Sequence, residues 1–220
     1  MIIEKFPGGA GPARKATLFF TGWGMDAAPF RAAFPKGRDC IVCHDYSHLD
    51  FDPECVRRYD EVLVVAWSMG VWAAAHVLTR YSLRCAAAIA VNGTMHPIDD
   101  QLGIPRDVFA GTLAGLTPSS LAKFQRRMCA SPESHSAFLS APPRRDFADC
   151  LRELGAIVGM AGTGTEAPPM RWDCAVISSK DRIFPPANQL RAWDGSRVIQ
   201  VKDGHFLASW EAVLDGRIAR

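Results

Sequence analysis

The chain has 220 residues, 48% of them apolar and 22% charged, enough apolar material for one sizeable core and an ordinary globular composition. A formal charge of +2 gives no argument for a nucleic-acid or membrane partner. Glu4 and Lys5 interrupt the opening segment, and no apolar run there is long enough for export or membrane spanning, so a cytoplasmic, single-domain protein is expected.

Strand-like runs rich in Val, Ile, Leu, Ala and Phe fall at 2–6, 16–21, 40–44, 61–66, 85–91, 174–178 and 197–201. Several are apolar on both faces. Helical stretches are expected at 29–34, 70–80 and 206–214, and strands of this kind alternating with helices point to a mostly parallel sheet covered on each side. The glycine-rich segment 8–11 lacks the Gly-Lys-Ser/Thr of a phosphate loop and reads as a connector. Cys40 and Cys43 form a CxxC inside a strand-like run, where residues three apart face opposite sides, which argues against a zinc or redox site. The odd total of seven cysteines fits reduced, packed thiols.

Between 91 and 174 the strand rhythm stops, and 95–170 reads as a helical cap inserted into the domain. One helix begins at Thr117, with Pro118 at its first position and Leu121, Phe124 and Met128 on one face. A second places Phe147, Cys150, Leu151, Leu154, Ile157 and Val158 together, and 162–169 is a loop before the chain returns to the sheet.

The run Glu61-Val-Leu-Val-Val-Ala-Trp-Ser-Met-Gly70 is a buried strand that ends in Ala66-Trp67-Ser68-Met69-Gly70 and leads into a helix. Such a strand–turn–helix context exposes a nucleophilic serine on a tight turn and demands small residues two positions to either side. Ala66 replaces the first Gly of G-x-S-x-G but keeps the steric logic. The Met69 amide would then lie at a helix N-terminus, where it can donate to a developing oxyanion, and the Gly22-Trp23-Gly24 turn offers the Trp23 amide as a second donor. A serine hydroxyl needs a histidine to take its proton and an acid to orient that histidine. In chain order serine, acid, histidine, His205 follows the last strand and fits better than His44, His48, His76, His96 or His135. Asp181, in the loop after a late strand, is the preferred acid over Asp173, Asp203, Asp99 and Asp100.

Beyond these features the chain resembles the BioG type of pimeloyl-acyl-carrier-protein methyl ester esterase. The likeness lies in Phe19-Phe-Thr-Gly-Trp-Gly-Met-Asp26, Asp45-Tyr-Ser47, Ala66-Trp-Ser-Met-Gly-Val-Trp-Ala-Ala74, Asn92-Gly-Thr94, Pro97-Ile-Asp99, Gly103-Ile-Pro105, Phe109-Ala-Gly-Thr-Leu113, Lys123-Phe124 and Arg127-Met-Cys129. The resemblance implies an α/β-hydrolase fold and hydrolysis of the methyl ester on a pimeloyl chain attached to acyl carrier protein, in biotin synthesis. It also implies Ser68 as nucleophile, His205 as base and Asp181 as acid, with no metal or organic cofactor. A carboxylesterase or thioesterase for another short acyl substrate would use the same three residues, and a non-catalytic acyl-binding member of the fold is the alternative of another class. For an acidic carrier, the expected dock is a basic outer face of the cap formed by Arg126, Arg127, Arg144 and Arg145 with Lys123. These five bases stand against a single acid, Glu133, between 117 and 145.

Overall fold

A computed structural model describes residues 1–11, 13–162, 168 and 170–219. Its strands are β1 (Ile2–Phe6), β2 (Lys15–Phe20), β3 (Asp39–His44), β4 (Glu61–Trp67), β5 (Ala87–Val91), β6 (Cys174–Ser178) and β7 (Val198–Val201). They form one sheet in the order β1-β3-β2-β4-β5-β6-β7, with β1 antiparallel to β3 and every other pair parallel. From β2 the chain moves outward to β3 and then crosses back to β4 on the other side of β2. This reversal opens a crevice at the carboxyl ends of the strands, where α/β sheets bind ligands. Phe20 pairs with Ala66, so the turn after β2 lies beside the turn after β4. Most residues of β2 to β6 are buried, because helices cover both faces.

The helices are α1 (Glu54–Arg57), α2 (Met69–Arg80), α3 (Arg106–Ala114), α4 (Pro118–Met128), α5 (Pro132–Ser140), α6 (Phe147–Ala161), α7 (Pro186–Ala192) and α8 (Glu211–Leu214). α3 to α6 lie between β5 and β6, so the region where two helices are expected from sequence holds four among the described residues. α4 starts as its sequence dictates: Thr117 accepts the Ser120 amide while the Ser120 hydroxyl accepts from the Thr117 amide. The same device, with Ser131, Pro132 and Ser134, starts α5.

The expected helix at 29–34 is a 3-10 turn over Ala28–Ala33, and the one at 206–214 shrinks to α8. Its first half is claimed by other partners. The Phe206 amide donates to the Met128 carbonyl, and Asp203 accepts the amides of Gly204 and Ala208. On α6, Leu151 points outward while Glu153 joins Cys150, Leu154 and Ile157 in the interior. The loop expected at 162–169 falls mainly outside the described residues, which include only 162 and 168 of it. No helix among the described residues is long and apolar enough to cross a membrane.

Candidate active site

Ser68 joins β4 to α2 with φ 59° and ψ −126°, a conformation that a residue with a side chain adopts only under constraint from its surroundings. Its amide is fixed to the Val91 carbonyl of β5 at 2.9 Å. The close crossing of α2 over β2 supplies the rest of the constraint. A Cβ at Gly70 would stand 2.4 Å from the Phe20 carbonyl oxygen and 2.5 Å from that of Thr21, so only glycine fits there.

From this turn the serine hydroxyl meets His205 Nε2 at 2.9 Å, and His205 Nδ1 meets Asp181 Oδ2 at 2.9 Å. The His205 and Asp181 side chains are 1% and 0% exposed, so this chain of bonds is shielded from competing water. Asp181 Oδ1 accepts the amides of Ile183 and Phe184, at 2.8 and 3.0 Å, and Oδ2 also accepts Gln189 Nε2 at 3.0 Å. Four donors, the His205 ring among them, therefore fix the carboxylate in place and keep it aimed at the imidazole. The ring of His205 lies between Phe184, parallel within 8°, and Trp67, with centroids 5.9 and 5.1 Å away. Its carbonyl accepts Trp67 Nε1 and Asn92 Nδ2, both at 2.8 Å. Asn92 also bonds the Gly204 carbonyl, the Ser178 hydroxyl and the Ser178 amide, so one buried amide joins the ends of β5 and β6 to the histidine loop.

Trp23 and Met69 line the cavity together with Ser68, and neither backbone amide has a protein acceptor among the hydrogen bonds of the described residues. Met69 opens α2, where the helix dipole favours negative charge. Helices α3, α4 and α6 line the cavity with Val108, Phe109, Phe124, Met128 and Leu154. The lining suits an apolar chain, while the hydrogen-bonded Ser68–His205–Asp181 arrangement suits nucleophilic attack on a carbonyl.

The other candidate residues lie elsewhere. His76 packs on Trp72 along α2, and Asp173 accepts the Ala88 amide at the opposite sheet edge. Asp99 and Asp100 bond loop amides near α3. All seven cysteines are free, and burial pushes the Cys40 thiol up to about 12. No cluster of three potential metal ligands occurs among the described residues.

Of the expected basic face, Lys123, Arg126, Arg127 and Arg144 are exposed. Arg145, expected on that outer face, lies in the interior instead. Its side chain is 6% exposed and bridges Asp45, at 3.0 Å, and Glu153, at 3.3 Å. The neighbouring Arg144 amide is pinned to Asp26, and from there residue 145 turns inward to its two carboxylates. Arg127 also departs from a purely outward direction, because its guanidinium lies over Phe124 and borders the cavity mouth. Arg182 and His135, neither of them among the expected basic residues, join Lys123, Arg126 and Arg127 around an adjoining groove. The roles of Gln189, Glu153 and Asn92 are not predicted from the sequence, although Asn92 lies in one of the family-like runs; the acid within the apolar pattern of α6 is the one local signal.

The sheet order, the strained serine after β4 and the ordering of Ser68, Asp181 and His205 define an α/β-hydrolase fold. Low-identity neighbours share it, including an enol-lactonase from Burkholderia xenovorans, at 13% identity and TM-score 0.64 over 99% of this chain and 94% of that one. The chain belongs to the BioG family: the family model described as pimeloyl-ACP methyl esterase BioG matches residues 11–213. The crystal structure of BioG from Haemophilus influenzae is similar at TM-score 0.87 and 34% identity, covering 98% of this chain and all of that one. A malonyl-[acyl-carrier protein] O-methyltransferase from Bacteroides fragilis is 47% identical over 188 residues, which are 84% of this chain but only 38% of that protein's length.

Proposed function

We propose that the protein is a serine esterase that hydrolyses the methyl ester of a pimeloyl chain held on acyl carrier protein, releasing methanol and leaving the carrier thioester intact. The observation that carries this reading is the continuous Ser68–His205–Asp181 hydrogen bonding beneath an apolar cavity with a basic rim. Ser68 Oγ attacks the ester carbonyl as His205 takes its proton, and the amides of Trp23 and Met69 donate to the oxyanion. His205 then protonates the departing methoxide. Water, deprotonated by the same imidazole, adds to the acyl-serine ester, and collapse returns the proton to Ser68 and frees the carboxylate. Family membership supports the substrate, and the name of the Bacteroides relative describes transfer of a methyl group to a carrier-bound acyl group, the kind of ester removed here. Lys123, Arg126, Arg127 and Arg144 form the dock for the acidic carrier, with Arg145 reassigned to the interior. Seven free thiols suit a reducing compartment such as the cytoplasm.

The test is incubation with methyl-pimeloyl carrier and with free methyl esters of several chain lengths, following methanol and the carrier thioester separately. Methanol release with the thioester retained, fastest for the carrier-linked pimeloyl ester, is expected. Thioester cleavage, or equal rates across the panel, would instead favour a general short-acyl esterase or thioesterase.

A further inference from the structure

Glu153 is a fully buried carboxylate on α6, and it reaches two separate turns of the sheet edge. Its Oε2 accepts the Gly24 amide at 3.2 Å, and its Oε1 accepts the Tyr46 amide at 2.9 Å. Gly24 directly follows Trp23 and has φ +70°. One turn earlier on the same helix, the Cys150 carbonyl accepts the Trp23 indole N–H at 2.8 Å. Trp23 is thus held from α6 twice, through its own side chain and through the next amide. Arg145, entering α6, bridges Glu153 to Asp45, which precedes Tyr46. A buried carboxylate is costly unless it is paired and hydrogen-bonded, and here every partner lies on a loop at the sheet's carboxyl edge or on the approach to α6.

We infer that Glu153 is a positioning residue that clasps the Gly22-Trp23-Gly24 turn to α6 and so aims the Trp23 amide at the oxyanion formed on Ser68. The inference rests on the esterase reading above. An oxyanion donor acts only when it is already oriented at the point where charge develops, so loosening the turn weakens binding of the transition state while the apolar cavity still takes the substrate. The clasp makes the inserted helices part of the catalytic geometry as well as a lid over it.

The experiment compares Glu153→Ala and Glu153→Gln with the wild type on a free methyl ester that needs no carrier dock. Three constants are read: kcat, KM, and the affinity for a boronic acid, whose anionic tetrahedral adduct on Ser68 uses the oxyanion donors. A neutral amide analogue of the substrate reports ground-state binding. Loss of one donor costs about 100- to 1000-fold in kcat, so Glu153→Ala should lose between about 10- and 1000-fold. Boronate affinity should fall in parallel while KM and amide affinity change less than about threefold. Glu153→Gln keeps one acceptor oxygen and should fall between the two, and its near-identical shape carries the test if the alanine variant does not fold. Unchanged kcat in a folded variant, or equal losses for boronate and amide, would overturn the clasp. A wild-type protein that neither hydrolyses the ester nor binds boronate would instead overturn the esterase reading beneath it.

Discussion

Glu153 also gives a stability prediction that needs no substrate. Burial, the largest influence, pushes its carboxyl from 4.5 up to about 7, against the opposing pull of Arg145 and the amides of Tyr46 and Gly24. Other charged groups nearby are Asp45, bonded to Arg145; Arg152, which reaches Asp45; and the Met1 ammonium, which feels both Asp45 and Glu153. His44 lies against Arg145, and burial, aided by that positive charge, favours its neutral form. A carboxyl whose pKa rises on folding adds stability that is fully present below about pH 4.5 and is lost as pH rises through about 7, because the folded state binds the extra proton between those values. At about 1.4 kcal/mol per tenfold change in proton affinity, the full difference is about 3 kcal/mol, and about 2–3 of it falls between pH 5 and pH 8. Glu153→Gln removes the titration while keeping the shape. The stability of the wild type minus that of the variant, from urea unfolding at several pH values, should therefore fall by about 2–3 kcal/mol from pH 5 to pH 8. A flat difference would refute the raised proton affinity. A difference that grows with pH would show that Arg145 and the two amides outweigh desolvation.

Asp181→Asn should cut ester turnover by roughly ten-thousandfold, because the amide no longer sets the imidazole tautomer, with little change in KM; a loss below tenfold in steady-state kinetics would move the acid elsewhere. Reversing Arg126 and Arg127 together to Glu should raise KM for the carrier-linked ester more at low salt than at high salt, and leave a small free ester unaffected. Equal effects on both substrates would exclude this face as the dock. Asn92→Ala should cost about 2–4 kcal/mol in chemical denaturation, since it strips buried partners from the Ser178 amide and the His205 carbonyl; a loss under about 1 kcal/mol would mean the loop relaxes to new partners.

The place of Ser68 on a tight strand-to-helix turn is legible because the elbow is a local device: an apolar strand, small residues at 66 and 70, and a helix starting at once. His205 and Asp181 were legible through chain order and their places after strands. Gln189 was not, because its hold on Asp181 depends on where α7 packs, and no spacing rule reports that. Arg145 was misplaced for a related reason. Counting charge along 117–145 sees five bases and cannot see that Asp45 and Glu153 converge on one of them from distant parts of the chain. The helix at 106–114 follows Pro105 and lacks a side-chain cap, whereas α5 opens on Ser131-Pro132 much as α4 opens on Thr117-Pro118, a signal that is local and readable. Phe206 to Trp210 looked helical by composition, but its backbone groups are taken by Met128 and Asp203, a competition set by tertiary contacts.

The central claim is that Ser68 forms the acyl-enzyme. It is tested most directly by treating the protein with a serine-directed fluorophosphonate, mapping the modified peptide by mass spectrometry and following methanol release from the methyl ester in the same samples. A single adduct on Ser68, rising in step with loss of methanol release and absent from Ser68→Ala, is the predicted result. An adduct on another residue, or methanol release that persists with Ser68 fully modified, would contradict it.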